Sequence, residues 1–132
     1  MDIQDILTTA ADFVTQASSR LVELEAEIRA AQPVRDRAVL MYLYRHKLPC
    51  LGCPHVTWKQ WRSHPRNPVH RWLAHRLQAP LPHLPRGDDC KDLRPLVVEV
   101  LTLERRRAML VHHLSALARV LAAIKTLPET PP

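Results

Sequence analysis

Two long stretches of the chain repeat apolar residues at alternating intervals of three and four. This spacing is the heptad pattern of a coiled-coil seam, and it predicts two long antiparallel helices over residues 2–31 and 93–127. The first seam is Ile3, Leu7, Ala10, Val14, Ala17, Leu21, Leu24, Ile28 and Ala31, and the second is Leu93, Leu96, Val100, Leu103, Arg107, Leu110, Leu114, Leu117, Leu121 and Ile124. Arg107 is the one polar seam position, and it either pairs with an acid of the first helix, Glu23, Glu25 or Glu27, or marks the place where the seam opens; we favour the ion pair.

Residues 33–48 read as a shorter helix with a basic polar side. Pro33 suits the first position of a helix, and Pro49 would end the element. The cationic side chains of this segment are Arg35, Arg37, Arg45, His46 and Lys47.

Residues 55–61 change to a period of two, which is typical of a β-strand. The segment RSHPRNP at 62–68 follows with two prolines around an asparagine, a loop signature. Residues 69–77 fit either a return strand or a short helix, and we favour the strand. The alternating pattern therefore predicts a β-hairpin, followed by a proline-rich connector over 78–92.

These elements predict one mostly α domain over 1–132, built from two long antiparallel helices, a shorter helix and a small Cys/Trp/His-rich insert. Its segments are a long acidic helix at 1–32, a short basic helix at 33–48, the basic insert and connector at 49–92, a long helix at 93–127 and a frayed tail at 128–132. The apolar faces of the long helices look wider than one partner helix covers. Either the short helix and the hairpin cover the excess, or a homodimer or other partner helices complete a four-helix bundle.

The net charge of +6 hides a strong asymmetry along the chain. Residues 1–32 carry a net charge of −4, residues 33–94 carry +8 and residues 95–132 carry +2. A basic middle segment favours a polyanionic partner, although a cationic surface that is merely solvated would give the same balance.

All three tryptophans lie between residues 50 and 77, interleaved with Lys and Arg and without a single acid. Aromatic faces stack on bases and cations neutralise phosphates, so this mixture is typical of a nucleic-acid contact surface. Tryptophans in a small insert also commonly form its core, and the cations are therefore the stronger indication. The predicted contact residues are Arg45, Lys47, Lys59, Arg62, Arg66, Arg71, Arg76 and Trp61.

Cys50 and Cys53 have the two-residue spacing that lets two thiolates bind one zinc ion. Cys90 and His83 are the best candidates for the other two ligands of a structural site. His55, His64, His70 and His75 are also in range, and free buried thiols or redox use fit the same cysteines. The sequence therefore predicts structural zinc as one of several alternatives and no other cofactor.

The chain shows no complete catalytic signature, so we expect a protein that is not an enzyme. Three cysteines, an odd number that includes the Cys50/Cys53 pair, favour a reducing cytoplasm over a disulfide framework. We recognise no secretory signal and no run of about 18 apolar residues, and we therefore expect a cytoplasmic protein without a membrane span.

The order of these parts resembles a family of small uncharacterised proteins that occur with bacterial mobile elements and their recombinases. The matching positions are Cys50, Cys53, the Pro54-His55 pair, Trp58, Trp61 and the leucine-rich segment 94–110. The chain departs from the family pattern at Val56, where a glycine is typical, and at RSHPRNP in place of a glycine-rich turn. The resemblance implies an accessory role near DNA.

We therefore expect a non-enzymatic nucleic-acid-binding accessory or regulatory protein of a bacterial mobile element, phage or plasmid. The alternative is a helical protein–protein adaptor, or a subunit of a larger complex, with a zinc-pinned head. Substitutions on the helical seams would impair the adaptor, whereas substitutions of the basic residues would impair nucleic-acid binding.

Overall fold

The computed structural model describes residues 2–32, 37–48, 50, 52–63, 72–84 and 93–128. The structure combines two long helices with a three-stranded antiparallel sheet. The strands lie side by side in chain order, β1-β2-β3. In sequence the elements are α1 (Ile3–Ala30), β1 (Val39–Tyr44), β2 (His55–Ser63), β3 (Trp72–Leu77), a short 3-10 helix (Leu81–His83) and α2 (Leu93–Lys125).

The prediction of a mostly α fold with a third helix at 33–48 is wrong, because the described part of that segment contains strand β1. Val39 and Met41 pack into the core, whereas Tyr42 is half-buried and Tyr44 is exposed on the alternate side of the strand. Short apolar runs fit a helix and a buried strand equally well, and Pro33 and Pro49 favoured the helix. The β-branched and aromatic residues of VLMYLY were the signal for a strand.

One side chain of α1 and one that follows the helix satisfy the edge of β1. The Gln32 amide donates to the carbonyl of Val39 and accepts the Val39 N–H at 3.2 Å. Further along the strand, the Glu25 carboxylate accepts the Leu43 N–H at 2.7 Å. Because an unpaired buried backbone group is costly, these contacts fix the strand against the helix.

The two long helices run antiparallel, as the contacts between them require. Arg20 meets Glu99, whereas Ser18, two residues earlier in α1, meets Arg107, eight residues later in α2. Arg20 donates two hydrogen bonds to the Glu99 carboxylate, from Nε at 2.6 Å and from Nη2 at 2.9 Å. These hydrogen bonds lower the pKa of Glu99 below its usual range.

The hydrophobic core lies where the sheet packs on the C-terminal half of α1 and the N-terminal half of α2. Its buried members come from both helices and from the sheet, and both helices contribute positions of the predicted seams or positions directly beside them. The core residues are Leu21, Leu24, Ile28, Val39, Met41, Trp58, Leu93, Val97 and Val100.

The predicted hairpin is confirmed, since β2 and β3 pair antiparallel. Trp58 pairs with Leu77 and Lys59 with Arg76, so alternate side chains of the two strands share a face. Trp58 is buried against the helices, whereas Trp61 is half-buried on the other face. The loop 64–71 that joins the strands lies outside the described residues.

The other ends of the helices, 3–13 of α1 and 108–125 of α2, contain no buried residue. Among the described residues, α2 is the one helix long and apolar enough to cross a membrane, and none of its most apolar 18-residue window is buried. Length and composition alone do not separate a membrane span from a helix covered by another protein. The predicted homodimer and the predicted cytoplasmic location therefore stay predictions.

Candidate functional site

Four potential metal ligands converge where β1 ends and β2 begins. His46 follows β1, His55 is the first residue of β2, and Cys50 and Cys53 lie in the connection between the two strands. The pairing of Tyr44 with His55 closes this connection into a tight loop. The ligand atoms of His46, Cys50, Cys53 and His55 all lie within 4.8 Å of one another, so the cluster could hold a metal ion.

Contacts inside the cluster already bring sulfur and nitrogen together. The Sγ atom of Cys50 lies 3.4 Å from Nε2 of His55, and the backbone N–H of His46 donates to Sγ of Cys53 at 3.3 Å. The His46 and His55 ring centroids are 4.6 Å apart. Burial lowers the pKa of His55, with further repulsion from His46 and Arg107, which favours the neutral imidazole that a metal requires.

The cluster contains some of the ligands expected from the sequence and not others. Cys50 and Cys53 are present together with His55, one of the further histidines in range. His83 ends the 3-10 helix and His75 lies on β3, and neither is a member of the cluster. Cys90, His64 and His70 lie outside the described residues.

Sequence reasoning did not identify His46 as a ligand, because it placed that residue on the polar side of a helix. The spacing His46-x3-Cys50-x2-Cys53-x-His55 was the available signal. Because β1 ends before His46 and β2 begins at His55, all four donors lie in the connection between the strands or at its end.

Arg107 anchors the connection between β1 and β2, residues 45–54, which we call the β1–β2 loop, to α2. The side chain is only 4% exposed; its Nη2 donates to the carbonyl of Pro54 and its Nη1 donates to the Ser18 hydroxyl at 3.3 Å. The expected pairing with Glu23, Glu25 or Glu27 is therefore wrong. Glu23 and Glu27 accept hydrogen bonds from Arg20 instead, and Glu25 accepts one from the Leu43 N–H.

Glu104 lies on the same side of α2 as Arg107, and its carboxylate is incompletely hydrogen-bonded. Its Oε2 atom is buried without a hydrogen-bond partner among the described residues. Burial raises the pKa of Glu104, and the nearby positive charge of Arg107 opposes that shift only in part. Ionised Glu104 is therefore a cost to the folded state.

We expect Glu104→Gln to raise the stability of the protein at neutral pH. Since the folded pKa lies above the ordinary value of 4.5, the native state loses stability as the pH rises through 4.5 towards the folded pKa. Glutamine does not titrate, so the advantage of the variant should grow from pH 4 to pH 7 and reach about 1 kcal/mol. Urea unfolding at a series of pH values measures it.

Glu99→Gln is the matched control with the opposite sign. The pKa of Glu99 is lowered, so its contribution is present at neutral pH and is lost as the pH falls through the folded pKa. This variant should be destabilised at pH 7 and indistinguishable from the parent in acid. Parallel pH profiles for the two variants would contradict the assignment.

The face of the sheet that points away from the helices carries aromatic and cationic side chains from all three strands. In the strand pairing, Leu40 lies opposite Lys59 and Tyr42 lies opposite Thr57. On the other side of β2, Lys59 lies opposite Arg76, so the side chains of all five residues share one face. We call this surface the open face and define it by Tyr42, Tyr44, His55, Thr57, Lys59, Trp61 and Arg76. All seven are half-buried or exposed.

The open face includes three of the residues predicted to contact nucleic acid. Trp61 lies two positions from Lys59 on β2, and Arg76 is exposed on β3. The Lys59 ammonium lies 4.8 Å from the centroid of the Tyr42 ring. These contacts give a mixed aromatic and cationic surface.

The other predicted contact residues lie elsewhere. Arg45 and Lys47 are exposed in the β1–β2 loop, next to the end of the open face. Arg62 is exposed and alternates onto the opposite side of β2. Arg66 and Arg71 lie outside the described residues.

Comparison with protein-family models, with curated proteins and with solved structures finds no match to this chain. The resemblance to proteins of bacterial mobile elements therefore stays a prediction.

Proposed function

We propose that this protein is a zinc-binding, non-enzymatic accessory protein that binds single-stranded nucleic acid on the open face of its sheet. The observation that carries the proposal is the arrangement of Tyr42, Lys59, Trp61 and Arg76 on one face of three paired strands. The resemblance noted above is the sole support for a role in a bacterial mobile element, phage or plasmid.

The chemistry of the donor set fits zinc. Two thiols and two imidazoles are a common ligand set for structural zinc, and a tetrahedral site needs ligand atoms roughly 3.3 to 3.8 Å apart. The separation of 3.4 Å between Cys50 and His55 is within that range, and all four ligand atoms lie within 4.8 Å of one another. Small side-chain adjustments therefore suffice.

Four protein ligands would saturate a tetrahedral ion, so a structural role is favoured over a catalytic one. Zinc would cross-link the end of β1 to the start of β2 through His46, Cys50, Cys53 and His55. The exposed Arg45 and Lys47 belong to the same loop. Fixing the loop would hold these two cations next to the open face.

An extended surface with aromatic rings and cations suits a single strand better than a duplex. Bases of a single strand expose their faces, so Tyr and Trp rings can stack on them, whereas the bases of a duplex are already stacked on each other. Lys59 and Arg76 lie opposite each other on neighbouring strands, where they can neutralise phosphates between stacked bases.

The proposal is tested by titrating labelled single-stranded DNA, single-stranded RNA and duplex DNA across a salt series. We expect single strands to bind more tightly than the duplex, with an affinity that falls as the salt concentration rises. The double variant Lys59→Ala/Arg76→Ala should bind more weakly and show a smaller salt slope. Arg119→Ala removes an exposed cation from α2 and should behave like the parent. No binding to any polymer at low salt would overturn the proposal.

The anchoring role of Arg107 is tested by its replacement with methionine. Arg107→Met removes a charged donor from the buried Pro54 carbonyl and should lower the free energy of unfolding by about 2 to 3 kcal/mol. Since Pro54 lies between Cys53 and His55, zinc affinity should fall about tenfold. Arg106→Met, at an exposed neighbouring position, is the control. Equal effects of the two substitutions would contradict the anchoring role.

A further inference from the structure

A cavity of about 400 Å³ lies between α2 and the β1–β2 loop with the strand ends beside it. This volume is in the range of pockets that hold small organic molecules. Val56, Ala108 and Val111 contribute apolar walls, and Glu104 lines the same cavity. The cavity is thus a mostly apolar site with a glutamate side chain in its wall.

Glu104 is the group in this cavity that lacks a partner. Its Oε2 atom accepts no hydrogen bond among the described residues, and the neighbouring Arg107 donates to Ser18 and Pro54. The Oε2 atom is closed off from solvent, so the Glu104 side chain would have to adopt another rotamer to present both carboxylate oxygens to the cavity. A ligand that donates hydrogen bonds would satisfy the carboxylate.

The cavity is continuous with the open face. Tyr44 and His55 belong to the open face and also line the cavity, and their rings stack with centroids 5.3 Å apart. Tyr44 is 48% exposed. A strand lying along the open face can therefore turn one base past the Tyr44 ring into the cavity.

We propose that this cavity is a base pocket that selects guanine, with the Glu104 carboxylate accepting hydrogen bonds from guanine N1–H and N2–H. This inference rests on the proposed function. Guanine presents two adjacent donors on its Watson–Crick edge, and they match the two oxygens of a carboxylate. Cytosine and adenine offer one amino donor on that edge, and the single donor of uracil lies between two carbonyls that would face the carboxylate.

The test uses a uridine 12-mer with one central position occupied by guanosine, inosine, adenosine, cytidine or uridine. The parent protein should bind the guanosine oligomer about tenfold more tightly than the adenosine oligomer, the discrimination typical of a bidentate contact to a base. Inosine lacks the N2 amino group and should fall between them. Glu104→Gln should bring the ratio of guanosine to adenosine affinities close to one.

Two further variants keep the test decisive. Glu99→Gln changes a carboxylate on the same helix that binds Arg20, and it should keep the tenfold preference. Ala108→Phe fills the cavity from the α2 side and should remove the preference by exclusion. Thermal unfolding of each variant shows that it is folded before its ratio is compared.

The outcomes separate the pocket from the function on which it rests. Binding of all oligomers without a base preference would overturn the guanine pocket and leave the open face standing. A guanosine preference that survives both Glu104→Gln and Ala108→Phe would place the discrimination elsewhere and also overturn the pocket. No binding to any oligomer would overturn both proposals.

Discussion

The double variant Cys50→Ser/Cys53→Ser is expected to lose its zinc and much of its stability. Two of the four ligands would be gone, and metal content measured by mass spectrometry should fall from one zinc per chain to none. At free zinc a thousandfold above the dissociation constant, a bound ion stabilises the folded state by about 4 kcal/mol. The variant should lose an amount of this order, which urea unfolding in the presence of zinc measures.

The helical content of this variant should remain, because no residue of the core cluster belongs to the β1–β2 loop. His75→Ala and His83→Ala are the matched controls, since each removes a histidine that the sequence put in range of the site and that is not in the cluster of four. Both should retain one zinc per chain. Zinc retained by the double variant, or lost from either control, would contradict the assignment of His46, Cys50, Cys53 and His55 as the ligands.

Trp61→Ala is expected to weaken single-strand binding by about tenfold or more. Stacking of a base on an aromatic side chain contributes about 1 to 3 kcal/mol by alanine substitution. Trp61→Phe retains a ring and should recover most of the affinity. Fluorescence anisotropy with a labelled oligonucleotide measures both variants under identical salt.

The control for this prediction is Trp58→Phe. Trp58 is 5% exposed and packs in the core on the opposite face of the same strand. Its replacement should lower stability and leave nucleic-acid affinity nearly unchanged. If Trp58→Phe weakened binding as much as Trp61→Ala, the open face would not be the binding surface.

Hydrophobic periodicity predicted the two long helices because their buried residues recur over many turns. Val14, Leu21 and Ile28 are seam positions of α1 and are buried. The hairpin was also predictable, since an alternating strand was followed by a proline-rich loop. In each case the pattern extends over enough residues for one period to stand out.

Strand β1 could not be predicted in the same way. Leu40 is buried along with Val39 and Met41, so the apolar run does not alternate at its start and fits a helix equally well. The strand conformation is stabilised by pairing with β2 and by hydrogen bonding to the Gln32 amide, and both partners lie elsewhere in the sequence. The assignment of residues 33–48 to a helix also hid the role of His46, because a residue of that helix was not expected to join the ligands of the loop.

The contacts of Arg107 were unpredictable for a related reason. A polar seam residue usually meets an acid on the partner helix, but here the β1–β2 loop brings the Pro54 carbonyl to Arg107. Every residue carries a backbone carbonyl, so the pattern of side chains does not indicate which carbonyl will accept a hydrogen bond. The candidate site therefore depends on a loop conformation that the sequence alone did not reveal.

The location of nucleic-acid binding is tested most directly by amide chemical-shift mapping, which suits a chain of 15.2 kDa. A zinc-loaded, isotope-labelled sample would be titrated with a uridine 12-mer at low salt. We expect the largest shifts at Tyr42, Thr57, Lys59, Trp61 and Arg76, and little change along 108–125 of α2. Shifts confined to the helices, or none at saturating oligonucleotide, would contradict binding on the open face.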